Sequence, residues 1–579
     1  MKMAQIGIYL DSTATERIHR HQANVFQLYI QELLTYAGIP FTRIGSADDI
    51  GAGGFDIVIA AVTGGAESEG KLWDFAERGG IVISFAGLPY LAARLGCRQL
   101  PEVPIGYATL PGETPGGRPM RYFRGRPWGR PAPGERSAAV SCREEGSVLA
   151  SREDVSEAGP LLQTFRVGAG SIVRWAVDIP SVIVRLQQGE RPVYEDGIPA
   201  QDGTGAVDEG ILKADDQCQM DWEADRAFTA TGMPYFEHPY ADYWREALLQ
   251  RLLAGAAEAG LTVPFVDYWP EGIEAVAMIS HDSDFNIDAS AEATLEALAE
   301  CGVRSTWCMI EPGFSAALYP KIMEAGHELA FHYNALEMER GIWSQAEFDR
   351  QFAWFKSATG LRGAVSNKNH YTRFEGWGEL FRWCEAAGIA SDQTRGPSKK
   401  GNVGFPFGTS HPYFPIGWSD EKNRLYNVLE IGFLTQDLMH PSLSDTTVIA
   451  PFLAKVKEVR GVAHFLYHQK HIYEQPAVRR AMADTAREAK RQGFVFWTGA
   501  EINDWVRAKR ERRVAGFGAD GRLVVEGAPL PIAAYRPLSA GETAAQTVER
   551  FGLPCVRVQV EFATESRQQT AAASGLHQG

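Results

Sequence analysis

The chain has 579 residues, 45% hydrophobic and 22% charged, with a net charge of −15. That length exceeds what one core organises, so three or four domains of roughly 100–200 residues are expected. The balance excludes general disorder, a collagen-like repeat and a disulfide-dense miniprotein. An acidic surface with no dense basic patch also argues against nucleic acid as a partner.

The seven cysteines are scattered and include no C-x-x-C pair, which speaks against a disulfide framework and against a cysteine zinc site. No run approaches the roughly 18 apolar residues needed to span a bilayer, so no membrane partner is expected. The N-terminal MKMAQIGIYLDS runs straight into a strand-like segment without a signal-peptide core, and the expected address is cytoplasmic.

Residues 1–265 read as alternating strands and helices. Residues 4–10, 55–62 and 80–85 are short, nearly continuous apolar runs, and an amphipathic stretch over 25–36 closes at Gly38. Continuous apolar strands separated by helical patterns predict a parallel α/β sheet covered on both faces. Residues 101–133, rich in Pro, Gly and Arg, predict loop and irregular β structure. From Glu274 strand-like runs recur at 274–280, 304–310, 328–332, 362–366, 388–392, 427–431, 462–468 and 494–498. Helical patterns lie between most of them, at 291–301, 345–359, 374–387 and 477–491, and a helix over 500–510 closes the series. The cadence predicts a (β/α)7–8 barrel over 266–513. Residues 514–564 read as a small β-rich segment, and 565–579 as a disordered tail.

In such barrels the functional groups stand at the C-terminal ends of the strands. Here those ends carry His281-Asp282-Ser283-Asp284, Glu311, His332, His370, Asp392, and His468 with His471. Asp282 and Asp284 lie two apart, so on an extended backbone they share a face and invite a cation. His332 follows its strand and is the better ligand, whereas His327 at the strand start is five residues away and faces the other side. His464 and His468 share a face with His464 one layer deeper, which makes His468 the candidate general acid. Carboxylates and imidazoles together suit zinc or a similar divalent ion.

These residues, in this order, resemble the polysaccharide deacetylase family (NodB-like, carbohydrate esterase family four) over about residues 268–510. The resemblance implies Asp282 as base, Asp284 and His332 as metal ligands, His468 as acid, and Asp392 as a carboxylate that helps orient the acid–base groups. The family's second metal histidine would fall on Leu336. His370 is the preferred substitute, with Asn334 and Glu337 weaker candidates. The family's arginine motif is not recognisable, and Arg373 stands nearest to it. Trp307, Tyr333, Tyr371 and Trp497 are candidate stacking residues for a sugar ring, with Arg373 beside them. The expected function is a metal-dependent hydrolase removing acetyl groups from a carbohydrate or a small acetylated substrate, and a homo-oligomer is compatible with it. The alternatives are an amidohydrolase acting on a small non-sugar amide, a glycoside hydrolase using Glu311 and Glu430, and an inactive carbohydrate-binding protein. The N-terminal half loosely resembles class I glutamine amidotransferase-like or flavodoxin-like domains. It lacks a nucleophilic cysteine over residues 62–68, which implies a non-catalytic role.

Overall fold

The computed structural model describes residues 2–110, 119–130, 140–152, 157–205, 210–441, 443–539 and 541–563. The chain divides into two compact units. One comprises Met1–Val182, Trp244–Gly272 and Val506–Gly579, the other Ile183–Tyr243 and Ile273–Trp505. Residues 183–243, read from sequence with the N-terminal half, thus fall in the second unit, and the C-terminal β segment falls in the first. Strand pairing accounts for the latter: Phe265–Pro270 runs antiparallel to Ile532–Pro537, which pairs in turn with Leu553–Val558. The tail assigned to 565–579 lies outside the described residues. No helix among the described residues is long and apolar enough to cross a membrane.

The first unit holds a nine-stranded mixed sheet. Its parallel part runs Thr42–Ile44, Ile6–Leu10, Ile57–Val62, Ile81–Phe85 and Gly170–Trp175. The apolar runs predicted the three central strands. The remaining strands are antiparallel, and two of them, Val103–Thr109 and Met120–Gly125, occupy the stretch expected to be loop and irregular β structure. The pairing of Val103–Thr109 with Cys142–Leu149 carries it into the sheet despite its prolines and glycines.

The second unit is built on a parallel sheet whose strands we number β1 Val276–Asp282, β2 Thr306–Met309, β3 Glu328–Tyr333, β4 Ser366–Asn369, β5 Ser391–Asp392, β6 Leu429–Glu430, β7 Thr435–Gln436, β8 Val462–Leu466 and β9 Val495–Phe496. Their order is β6-β5-β4-β3-β2-β1-β8-β7, with β9 beside the start of β1. The end strands β6 and β7 are joined by the four residues Ile431 to Leu434. Eight flat strands would hold those edges roughly 34 Å apart, whereas five residue steps span at most about 18 Å. The sheet therefore rolls toward a barrel, as the cadence of β/α units predicts.

Covering helices follow the expected pattern. Gln345–Thr359 starts on Ser344, whose side chain accepts from Glu347 N, and stops at Gly360 with φ 74°. Asp288–Cys301 and Pro476–Arg491 also match their periodic stretches within a few residues. Strand β1 is buried along its whole length, as a strand covered on both faces must be. Two strands depart from the sequence reading, and one of them, β7, matches no strand-like run. Residues 362–366 were expected to be extended, but β4 begins where that run ends, at Ser366. It carries Asn367, Lys368 and Asn369, all buried. Its polar side chains serve the interior of the barrel mouth and leave no apolar pattern to read.

Candidate active site

Strand β1 delivers the first carboxylates. Asp282 is its last residue, and Asp284 follows after Ser283, whose Oγ accepts from Ile310 N at 3.1 Å and fixes the turn. His281 points away: a nitrogen of its ring lies 2.8 Å from the Tyr467 carbonyl, and burial pulls its pKa down to about 3. It is a neutral core residue.

Three imidazoles from three other strand ends converge on Asp284. His332 on β3 uses Nδ1 to donate to the Lys368 carbonyl at 2.9 Å, so Nε2 faces Asp284 Oδ1 at 3.2 Å. His370 follows β4 directly, with Nδ1 3.3 Å from the same oxygen and Nε2 3.3 Å from Glu339 Oε2. His468 after β8 places Nε2 3.3 Å from Asp284 Oδ2 and 4.0 Å from Asp282 Oδ2. His332 is fully buried and His370 nearly so. Burial works against charge on Asp284, yet the His370 and His468 rings outweigh it and hold its carboxyl well below the usual range. Burial likewise opposes a charged His468, but Asp437 and Asp284 hold its imidazole well above its ordinary pKa.

The donor set fits a metal. The ligand atoms of Asp284, His332 and His370 all lie within 4.8 Å of one another. Ligands about 2.1 Å from a tetrahedral ion stand roughly 3.4 Å apart, and the 3.2 and 3.3 Å separations from Asp284 Oδ1 match that spacing. His370 is therefore the third donor of a group that could hold a metal ion. Leu336 is 1% exposed and has no group to offer, while Asn334 holds the local turn by accepting from Leu336 N.

Sequence reasoning missed three partners. Asp437, immediately after β7, has its Oδ2 2.5 Å from His468 Nδ1 and 3.0 Å from His471 Nδ1, and its Oδ1 accepts from His468 N at 2.8 Å. The carboxylate holding the candidate acid is thus Asp437, not Asp392. Asp392 is buried, accepts from Asn367 Nδ2 at 2.7 Å and from Thr394 Oγ1 at 2.9 Å, and neighbours Glu430, whose carboxyl burial pushes well up. Lys368, fully buried, donates to Ser280 Oγ at 2.7 Å and stands 3.3 Å from Asp282 Oδ1. It is the cation beside Asp282, whereas Arg373, the residue nearest the expected arginine motif, pairs with Glu375. Glu339 is the third. Its signal in the sequence is its place in the loop after β3, beside the weaker candidates Asn334 and Glu337.

The expected aromatic residues separate. Trp307 is wholly buried with Nε1 donating to Ser305 Oγ at 3.0 Å, and Tyr333 is wholly buried with its hydroxyl bonded to the Ile342 carbonyl. Both are core. Trp497 is half-buried and packs 6.3 Å from Trp505. Tyr371 is 51% exposed, its ring edge-on to His370 at 4.7 Å. His327 and His464 are core residues as expected, bonded near Ser305 and Ser280 respectively. For a glycoside hydrolase pair, Glu430 is sealed from solvent and Glu311 is bound to Arg350 at the surface, so the two do not flank a cleft.

No family model matches the sequence, and no curated protein does. Solved structures align with part of the chain. A Mycobacterium smegmatis protein described as a polysaccharide deacetylase matches at 16% identity and TM-score 0.32, over 42% of this chain and 94% of its own. A peptidoglycan N-acetylglucosamine deacetylase matches at 12% identity and TM-score 0.25, over 40% and 89%. An allantoinase matches at 11% identity and TM-score 0.29, over 42% and 93%.

Proposed function

We propose that the second unit is a divalent-metal hydrolase that removes acetyl groups from the amine of an acetylated carbohydrate. The observation that carries this reading is the convergence of His332, His370 and His468 on the one carboxylate of Asp284. Asp284, His332 and His370 would hold the ion. When bound, such an ion, zinc by its donor set, supplies an activated water and polarises the acyl carbonyl.

The remaining work falls to this chain's own groups. Asp282 accepts a proton from the attacking water, and Lys368 stands behind it with Nζ 3.3 Å from its Oδ1. His468 presents Nε2–H to the leaving nitrogen, while Asp437 fixes the opposite nitrogen and so the tautomer. Water adds, the C–N bond breaks, the amine leaves with the proton from His468, and acetate remains. Asp392 supports the β4–β6 part of the sheet and does not touch His468.

The test is metal content of the purified protein together with acetate release from N-acetylated oligosaccharides. Stoichiometric metal and metal-dependent acetate release support the reading; a metal-free, inactive wild type sinks it. One observation favours a second reading, hydrolysis of a small non-sugar amide by the same groups. Of the expected stacking residues, burial of Trp307 and Tyr333 leaves Tyr371 as the exposed ring beside His370, a small platform for a sugar chain. A panel of short amides assayed beside the oligosaccharides separates the two.

A further inference from the structure

Each imidazole in the centre has its outer nitrogen tied down, and the ties differ in kind. His332 is held by a main-chain carbonyl and His468 by the buried carboxylate of Asp437. His370 is held by Glu339, whose side chain is 45% exposed. An ion pair that open to water contributes little to folding. Its geometry is nevertheless fixed from several directions. Asn334 donates through Nδ2 to Glu339 Oε2 at 2.9 Å and accepts through Oδ1 from Leu336 N at 2.9 Å. Glu339 N donates to the Leu336 carbonyl at 3.0 Å and Gly341 N to the same carbonyl at 2.7 Å. Arg340 turns the chain back at φ 67°. A surface glutamate oriented this firmly presents an acceptor in a set direction.

That direction is the Nε2–H of His370. Tyr371 and Thr372, which follow His370, both sit at positive φ, 55° and 52°. Two consecutive non-glycine residues there are disfavoured, so the ring is carried on a turn that other contacts must hold. Asn369 Nδ2 donates to the Arg373 carbonyl at 2.8 Å and closes the turn from inside; Glu339 secures the ring from outside.

We propose that Glu339 is a positioning residue for the metal centre. It accepts the Nε2 proton of His370 and thereby commits Nδ1 to the ion beside Asp284. The proposal rests on the reading of Asp284, His332 and His370 as ligands. It assigns to the loop after β3 the support of a ligand that β4 supplies. Carboxylate–histidine–metal arrangements of this kind typically raise affinity 10–100-fold.

The experiment is a chelator-competition titration of Zn2+ into metal-stripped full-length protein, with Co2+ absorption as a second readout of the ligand set. Wild type, Glu339→Ala, Glu339→Gln, His370→Ala and, as a same-turn control, Glu337→Gln are compared. Glu339→Ala is expected to weaken Zn2+ binding 10–100-fold, alter the Co2+ visible bands and leave the melting temperature of the stripped protein unchanged. Glu339→Gln, which keeps an acceptor oxygen, should recover part of the loss, and Glu337→Gln should match wild type. If wild type and His370→Ala behave as ligand chemistry requires but Glu339→Ala binds and absorbs like wild type, the positioning role falls and the centre stands. If wild type takes up no ion, or His370→Ala keeps full affinity, the ligand assignment falls and the proposal falls with it.

Discussion

Both units contain parallel strands whose C-terminal ends carry polar residues, and they use those residues in opposite ways. In the first unit, Asp11 follows Ile6–Leu10 and is consumed by the chain itself. Oδ1 accepts from Ala14 N at 2.7 Å to cap the helix Ser12–Arg20, and Oδ2 accepts from Tyr9 Oη at 2.6 Å. After Ile57–Val62, Ser68 Oγ accepts from Gly64 N at 2.9 Å and Gly65 N at 3.1 Å. The buried Arg174 is spent on the Gly87 and Arg126 carbonyls and the face of Trp128. In the second unit, Asp282, Asp284, His332, His370 and His468 face one another across the strand ends. A polar strand end is thus no evidence of a site by itself; what distinguishes a site is side chains from several strands meeting instead of capping their own helices.

The sharpest way to break this comparison is one substitution type applied in both places. Asp284→Asn removes the charged ligand and should abolish both stoichiometric metal and hydrolysis, measured by elemental analysis and turnover on the same preparation. Retained metal in that variant would mean that the imidazoles bind without it. Asp437→Asn comes next. It leaves the three ligands untouched but gives His468 a partner that no longer stabilises its charged form. Turnover should fall about 10²–10⁴-fold, the range of a general acid's contribution, with metal content unchanged. Loss of metal in Asp437→Asn would place His468 among the ligands instead.

Much of the second unit was legible because its signals are local. The β/α cadence, the helix Gln345–Thr359 with its Ser344 cap, and the Asp282/Asp284 pair each follow from neighbouring residues. The parts that were not legible depend on pairs far apart in sequence. Asp437 meets His468 across 31 residues, and its strand, β7, is two residues long. Lys368 lies only two residues before His370, yet it reads as loop because β4 has no apolar alternation. Its role appears only when the side chain reaches Ser280 and Asp282 on β1. Asp392 lies at the right end of the right strand, but its side chain turns toward Asn367 and Thr394. Composition cannot report that choice of rotamer.

A pH prediction tests the same contrast in stability. Burial holds the carboxyl of Glu69, in the first unit, up at about 7, against hydrogen bonds from Tyr90 N at 2.9 Å and Thr63 Oγ1 at 3.3 Å. The folded state therefore keeps a proton that the unfolded chain releases near 4.5. The stabilisation is complete below that value and is lost as pH rises through about 7. Glu69→Gln should flatten this decline by up to about 3 kcal/mol, read from denaturant midpoints across pH 4 to 8 by a probe of the first unit. Metal content should not follow it.

The smallest effect is also the most discriminating. Asn caps a helix as well as Asp does, so Asp11→Asn keeps the acceptor for Ala14 N and should cost less than about 0.5 kcal/mol. Asp11→Ala removes that acceptor and the partner of the buried Tyr9 hydroxyl, and should cost about 1–2 kcal/mol. Neither should change metal content or turnover. The two aspartates then rank oppositely: at position 11 the acceptor matters and the charge does not, whereas at position 284 the loss of charge alone is decisive. Equal tolerance of Asn at both positions would show that Asp284 is also only a structural acceptor, and would remove the physical basis for setting the two units apart.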